Sequence, residues 1–520
     1  QQPKVYTHLS AWTGVLRPQI GTYDNFAYQS KRWDIIASLN LVRHTIQSKS
    51  NVTRYFNSQS MQPQQLSLSR TIKTVQNAEH IKINFFATDK LTLTASAYHS
   101  GYPSDATDSG KDFSGHSYLR TSNEKIDHSG GYANMSYKWN ERNTLTLKGN
   151  YYYYRYAIDY PGSDIEHYRS AMREYTGELL WETRRRIWGH DHDINAGFKN
   201  DIAEQHLLYL TDYYAFTRDF SAYVILKGEH DNLGHRHNIV FLPSLRLNYN
   251  LKKRGSLSAN YQRRITRPSV DYLNADTLFI NDYTRHVGNP GLRSQHNDAF
   301  GLSWRKQIRK AYLTLSANYE READIISRIY ITPDNYDVTT YANIGRSDYA
   351  ALSANITQRF FQNRMNVSLS ITGFHRSYQL DDAYSQNTLI QTVKGWGWNG
   401  NLNMSYLSTK GWMYMLSANY RPKSYSLNGT FHRNPNLFLT ISKNLFNDRL
   451  ELELDFINSF VYCWNTRSNT YFRDMHQQST RRQYANNITI SVAWNIGKQF
   501  RSRRVASGIS NDDIVTKKGE

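Results

Sequence analysis

LTLSANY, residues 313–319, puts Leu313, Leu315, Ala317 and Tyr319 on one side of an extended chain and Thr314, Ser316 and Asn318 on the other. Period two is the repeat of a β-strand, whose successive side chains point to opposite faces. Related phrases recur as LTLTASAY at 91–98, LTLKGNYY at 145–152, SLSANY at 256–261 and LSANY at 416–420. Strands whose two faces meet different solvents run through the whole chain, and they predict an all-β fold.

The chain has 520 residues, of which 39% are apolar and 14% aromatic, with 40 tyrosines. Its mean hydropathy is -0.70. A soluble all-β chain of this length divides into several sandwiches with richer cores and visible linkers, and no linker interrupts the alternation between about residues 5 and 497. No stretch approaches the roughly 18 consecutive apolar residues of a transmembrane helix. A barrel in the outer membrane of a Gram-negative bacterium reconciles the two facts. Only one face of each strand meets lipid, the lumen is polar, and tyrosine and tryptophan line the two interfaces.

The single cysteine, Cys463, excludes an intramolecular disulfide. Gln1 is not followed by a basic and then apolar leader, so the N-terminus reads as mature or truncated. The net charge of +19 lies in turns and strand ends such as Lys252, Lys253 and Arg254, or Arg501, Arg503 and Arg504. That scatter fits a solvated rim facing lipid phosphates or partner proteins, and it lacks the single basic face that nucleic acid requires.

The C-terminal half sets strand parity. In 450–464, Leu450, Leu452, Leu454 and Phe456 share one face, while Glu451, Glu453 and Asp455 share the other and are assigned to the lumen wall. The turn at 446–449 joins this strand to 436–445, and 484–496 follows after a long polar segment, 465–483. Tight turns are expected near 252–255, 306–310, 361–364 and 408–411. Longer connections fall near 269–294, 331–343 and 378–388, with a compact one at 422–428. Short periplasmic turns alternate with long extracellular loops in such barrels. Extended to the N-terminus, the parity gives an antiparallel up-and-down barrel of about 22 strands over 1–497, with 498–520 as a polar periplasmic tail.

Five motifs then resemble the outer-membrane β-barrel domain of the TonB-dependent receptor-like family. They are Leu226-Lys227-Gly228-Glu229, Phe241-Leu242-Pro243-Ser244-Leu245, and the run from Arg263-Arg264-Ile265-Thr266-Arg267-Pro268-Ser269 through Tyr272-Leu273-Asn274 to Gly288-Asn289-Pro290-Gly291-Leu292. Asp455-Phe456-Ile457-Asn458 and Trp494-Asn495-Ile496-Gly497-Lys498 complete the set. Without reference to any family, Pro268 removes a backbone donor and ends ladder pairing, and Gly288-Asn289-Pro290-Gly291 is a dense turn signal. Arg264, Arg267, Pro268, Gly288, Asn289 and Pro290 are therefore read as building a loop anchor.

The resemblance implies uptake of a nutrient or metal complex through TonB, conditional on a plug domain that these residues do not contain. The alternative is a non-transporting barrel subunit that binds other outer-membrane proteins or a surface lipoprotein. Membrane lipid and lipopolysaccharide are expected neighbours on either reading, and no cofactor or metal is assigned. Trp188-Gly189-His190-Asp191-His192-Asp193 is the one local cluster with metal-ligand chemistry, but alternation sends its neighbours to opposite faces at a turn. No metalloprotease, nucleophile-elbow, P-loop or paired-cysteine motif is present, so no enzymatic activity is expected. Recognition is assigned to the loop 269–294, through Tyr272, Phe279, Asn281, Asp282 and Tyr283.

Overall fold

The computed structural model describes residues 3–500 except 58–61, 162–166, 202–204, 234–235, 276, 282–283, 332–336, 383, 385–390, 462 and 473–474. Twenty-two antiparallel strands close into one barrel. The first, Lys4–Gly14, pairs with the last, Asn487–Gly497, from Tyr6↔Gly497 to Gly14↔Thr489. Closure removes both sheet edges, so every ladder donor and acceptor within the lipid is satisfied.

Exposure follows the predicted alternation with its usual sense inverted. Along Asn143–Asp159, Leu145 and Leu147 are 42% and 51% exposed while Thr146 and Lys148 are 0% and 9% exposed. Along Asn487–Gly497, Ile490, Val492, Trp494 and Ile496 are exposed, and Asn487 and Thr489 are buried. In a soluble protein this pattern would expose the apolar faces to water. On a lipid-facing wall it is the stable one, with polar side chains such as Lys148 and Glu178 (Nζ to Oε2, 3.0 Å) pairing with one another on the lumen side.

The tight turns fall at one end, at 251–255, 309–310, 361–364, 408–411 and 446–449. Several hold non-glycine residues at positive φ, among them Asn447 (57°) and Asp448 (65°), whose short polar side chains tolerate that region. Trp188 (47°) and Gly189 (81°) form a two-residue hairpin between His167–Ile187 and His190–Asp201. Positive φ at both central residues matches the twist of the flanking strands.

Two boundaries differ from the sequence reading. The strand expected over 450–464 stops at Ile457, because Asn458 takes φ 48° and its Oδ1 accepts from the Leu437 N–H at 2.8 Å, which turns the chain out of the wall. The polar segment 465–483 is mostly a hairpin, Trp464–Tyr471 with Met475–Tyr484. Its polar residues are compatible with strands because both faces lie beyond the lipid. The second strand of this hairpin pairs with the distal half of Trp33–Phe56, from Gln47↔Tyr484 to Phe56↔Met475. The expected tail, 498–520, is described only as far as residue 500.

The seam between first and last strands has its own fastener. Asn487, 1% exposed, accepts through Oδ1 from the backbone N–H groups of Leu16 and Arg17 at 3.1 and 3.0 Å. One buried amide thereby fixes the turn at 15–18 to the strand that closes the barrel.

Candidate functional site

The long loops assemble into a crown over the extracellular mouth, and its foundation is the run 263–292. Strand Ser256–Thr266 ends where Pro268, fully buried, withholds a ladder donor. Arg267 then forms an ion pair with Glu229 of strand Phe220–Leu233, both side chains being buried. Two motifs that lie far apart in sequence are one interaction in space. A pair this desolvated costs more to break than it adds by forming, so it fixes where the loop leaves the wall.

Ser269 opens a single helical turn, Val270–Leu273, accepting from the N–H groups of Tyr272 and Leu273 at 2.9 and 3.2 Å. Tyr272 stacks on Tyr341 of the next loop, with ring centroids 3.7 Å apart. Asn289 bonds in three directions. Its N–H donates to the Tyr272 carbonyl at 2.6 Å, its Nδ2 to the Tyr341 carbonyl at 2.9 Å, and its Oδ1 accepts from the Gly291 N–H at 2.8 Å. Gly288 has no room for a side chain, since a Cβ there would lie 2.1 Å from the Asn274 carbonyl oxygen. Strand Thr284–Val287 pairs in parallel with Asp337–Asn343, so the two loops share one four-stranded sheet.

The crown continues through apolar contacts. Ile325, Ile329, Ala342 and Ile344 bury against Leu427 of the loop 421–435, with Tyr378, Leu380 and Tyr384 packed around them. Beyond Leu427 the backbone carries the connection: Tyr471 donates to the Asn428 carbonyl at 2.7 Å, and Gly429–Arg433 pairs with Trp464–Tyr471. Beneath the loops, Arg376 Nη2 donates to Glu322 Oε2 at 2.6 Å, and the Ser347 hydroxyl donates to the same oxygen at 2.9 Å.

On the opposite arc, Ser104–Lys111 extends the wall between Gln64–Phe86 and Ser117–Asn140. Burial raises the Asp108 carboxyl there above its ordinary range, an effect opposed by Arg70 and Arg120. Lower in the wall, Tyr152 donates to or accepts from His128 Nδ1 at 2.9 Å, and Tyr209 donates to Glu178. The inner face of the wall presents hydroxyls, carboxylates and cations together.

The expected recognition residues have separate positions. Tyr272 is committed to its stack on Tyr341. Phe279 and Asn281 belong to strand Thr277–Asn281, and Asp282 and Tyr283 lie outside the described residues. Arg264 is exposed, its Nη2 2.6 Å from Gln262 Oε1, and takes no part in the buried network. Pro290 sits at the exposed tip of the Asn289 turn. Glu451, Glu453 and Asp455 occupy the face opposite Leu452, which is 40% exposed. Asp455 accepts from Thr440 and Thr489 of both neighbouring strands, at 2.5 and 3.0 Å.

In the 188–193 segment the side chains diverge as alternation requires. His192 Nδ1 lies 2.8 Å from Asp212 Oδ2, whereas Asp193 accepts from Arg184 Nε at 2.7 Å. Among the described residues, no three histidine, cysteine or carboxylate side chains converge on a metal position. Tyr341, Glu322, Arg376 and the cluster around Ile344 were not legible in the sequence. Each gains its place from a partner in another loop, and no local period marks it.

Residues 223–494 match the outer membrane protein beta-barrel family. No curated protein sequence matches the chain. Among solved structures, the ferric enterobactin receptor of Pseudomonas aeruginosa is similar with a TM-score of 0.66 at 11% identity, over 95% of this chain and 80% of that one. The outer membrane transporter YddB of Escherichia coli gives 0.65 at 10% identity, over 95% and 81%. The FrpB iron transporter of Neisseria meningitidis gives 0.63 at 8%, over 95% and 83%. At these identities the likeness is one of fold.

Proposed function

This chain belongs to the outer membrane protein beta-barrel family, and from that premise we propose that it is the barrel of a TonB-dependent receptor-like importer of a nutrient or metal complex. The observation that carries the reading is the closed wall of 22 strands around a polar lumen, a ring too wide for its own side chains to fill. An importer fills such a lumen with a plug that TonB displaces. The solved receptors and transporters of the same fold support the reading by analogy.

A second reading rests on the crown. Loops that are stacked, paired and packed against one another from Arg267 to Tyr484 form a preorganised platform, which suits a subunit that holds another outer-membrane protein or a surface lipoprotein. Conductance of the full-length native subunit in planar bilayers separates the two. A plugged importer gives low, intermittent conductance, and purifies with a segment that TonB captures. Steady conductance of the size of an open 22-strand lumen would remove the importer reading and leave the scaffold.

A further inference from the structure

The lipid-facing wall carries a second candidate site, and cross-strand register defines it. Across four adjacent strands, Arg263, Asp298, Arg321 and Asp348 are direct neighbours, which makes a row of alternating charge. Two residues nearer the periplasmic turns, the same strands place Tyr261, Phe300, Tyr319 and Ala350 side by side. One step further come Ala259, Leu302, Ala317 and Leu352, then Gly373 on the next strand. Phe300, Leu302, Tyr319 and Leu352 are among the exposed apolar side chains, so all of these rows face outward.

Large and small side chains are unevenly distributed in the two apolar rows. Tyr261, Phe300, Tyr319 and Leu352 stand up as ridges, while Ala259, Ala317, Ala350 and Gly373 form the floor of a furrow of about 690 Å³. At Gly373 an added Cβ would meet nothing within 4 Å. A furrow of this volume in a lipid-facing wall is filled by hydrocarbon, because an empty one forfeits dispersion contacts along its whole lining.

The charged row above it says what the hydrocarbon is attached to. Asp298 is already engaged by Arg263 Nε and Nη2 at 2.8 and 2.9 Å and by the Tyr261 hydroxyl at 2.8 Å. Asp348 accepts the Tyr319 hydroxyl at 2.6 Å. Both tyrosines thus point their polar ends toward the extracellular side, as residues at a membrane interface do. Arg321 stands between these two carboxylates in the cross-strand row, Arg346 lies two residues from Asp348 on the same face and donates through Nη2 to Gln379, and both arginines are exposed. A guanidinium fork engages phosphate bidentately, as Arg263 engages the Asp298 carboxylate.

We propose that this furrow and its arginines bind one phosphorylated, multiply acylated glycolipid of the outer leaflet, with acyl chains over Ala317, Ala350 and Gly373 and a phosphate on Arg321 and Arg346. The inference rests on the outer-membrane placement of the wall and not on import, so a failed import test leaves it standing. The test is native mass spectrometry of the full chain in detergent, titrated with bisphosphorylated lipid A and, separately, with phosphatidylglycerol. Lipid A binds the wild type, and Arg321→Glu with Arg346→Glu weakens it at least tenfold. Ala317→Trp weakens it similarly, with Gly373→Leu as the second furrow-filling variant should the first fail to fold. Absence of lipid A binding, or variants within twofold of wild type, overturns the site. Phosphatidylglycerol binding as tightly as lipid A overturns the glycolipid assignment.

Discussion

The barrel wall and the extracellular crown are built from the same kinds of residue and held by different forces. The wall is a backbone object. Its ladders close on themselves, and its side chains need only be apolar outward and polar inward, so many substitutions leave it intact. The crown is a side-chain object, in which Arg267 with Glu229, Tyr272 on Tyr341, and Asn289 with its three partners each hold a position that no ladder dictates. Tolerance of mutation is therefore expected to fall sharply between the two.

The largest effect is expected at their junction. Arg267→Ala leaves Glu229 buried and unpaired and should cost about 3–5 kcal/mol in urea unfolding followed by tryptophan fluorescence. The double variant Arg267→Met, Glu229→Leu should recover most of that loss. Asn487→Ala should cost about 1–3 kcal/mol, by leaving the Leu16 and Arg17 N–H groups without their acceptor at the seam.

A matched pair of glycines tests the contrast within one substitution type. Gly288→Ala drives a Cβ into the Asn274 carbonyl and should cost about 1–3 kcal/mol, the range for forcing extra volume into packed structure. Gly373→Ala, in the open furrow of the wall, should change stability by less than about 0.5 kcal/mol, as surface substitutions do. Equal losses at both would erase the distinction between wall and crown. An effect of the opposite sign is expected at the hairpin turn, where Trp188→Asn should stabilise by about 1 kcal/mol because asparagine visits positive φ more readily.

How far the sequence could be read follows the same division. Leu450 to Phe456 against Glu451 to Asp455, and the tight turns from 251 to 449, announced strand parity and the number of strands, because period two and short turns are local signals. The hairpin at 464–484 escaped notice because both of its faces are polar and its period therefore invisible. The crown was legible only as motifs. Arg267, Pro268, Gly288 and Asn289 stand out as motif residues, but Glu229 and Tyr341, which Arg267 and Asn289 contact, lie 38 and 52 residues away from them. No pattern within a strand's length encodes such a pairing.

LTLSANY, residues 313–319, has lipid on one side and a wet lumen on the other. With Cys463 replaced by serine, single cysteines at Leu313, Thr314, Leu315, Ser316 and Ala317 would be labelled with a bimane fluorophore in reconstituted vesicles. Doxyl-labelled lipid should quench positions 313, 315 and 317 strongly and positions 314 and 316 weakly, while aqueous iodide shows the reverse order. Quenching that rises or falls smoothly along the five positions, without a period of two, would contradict the barrel.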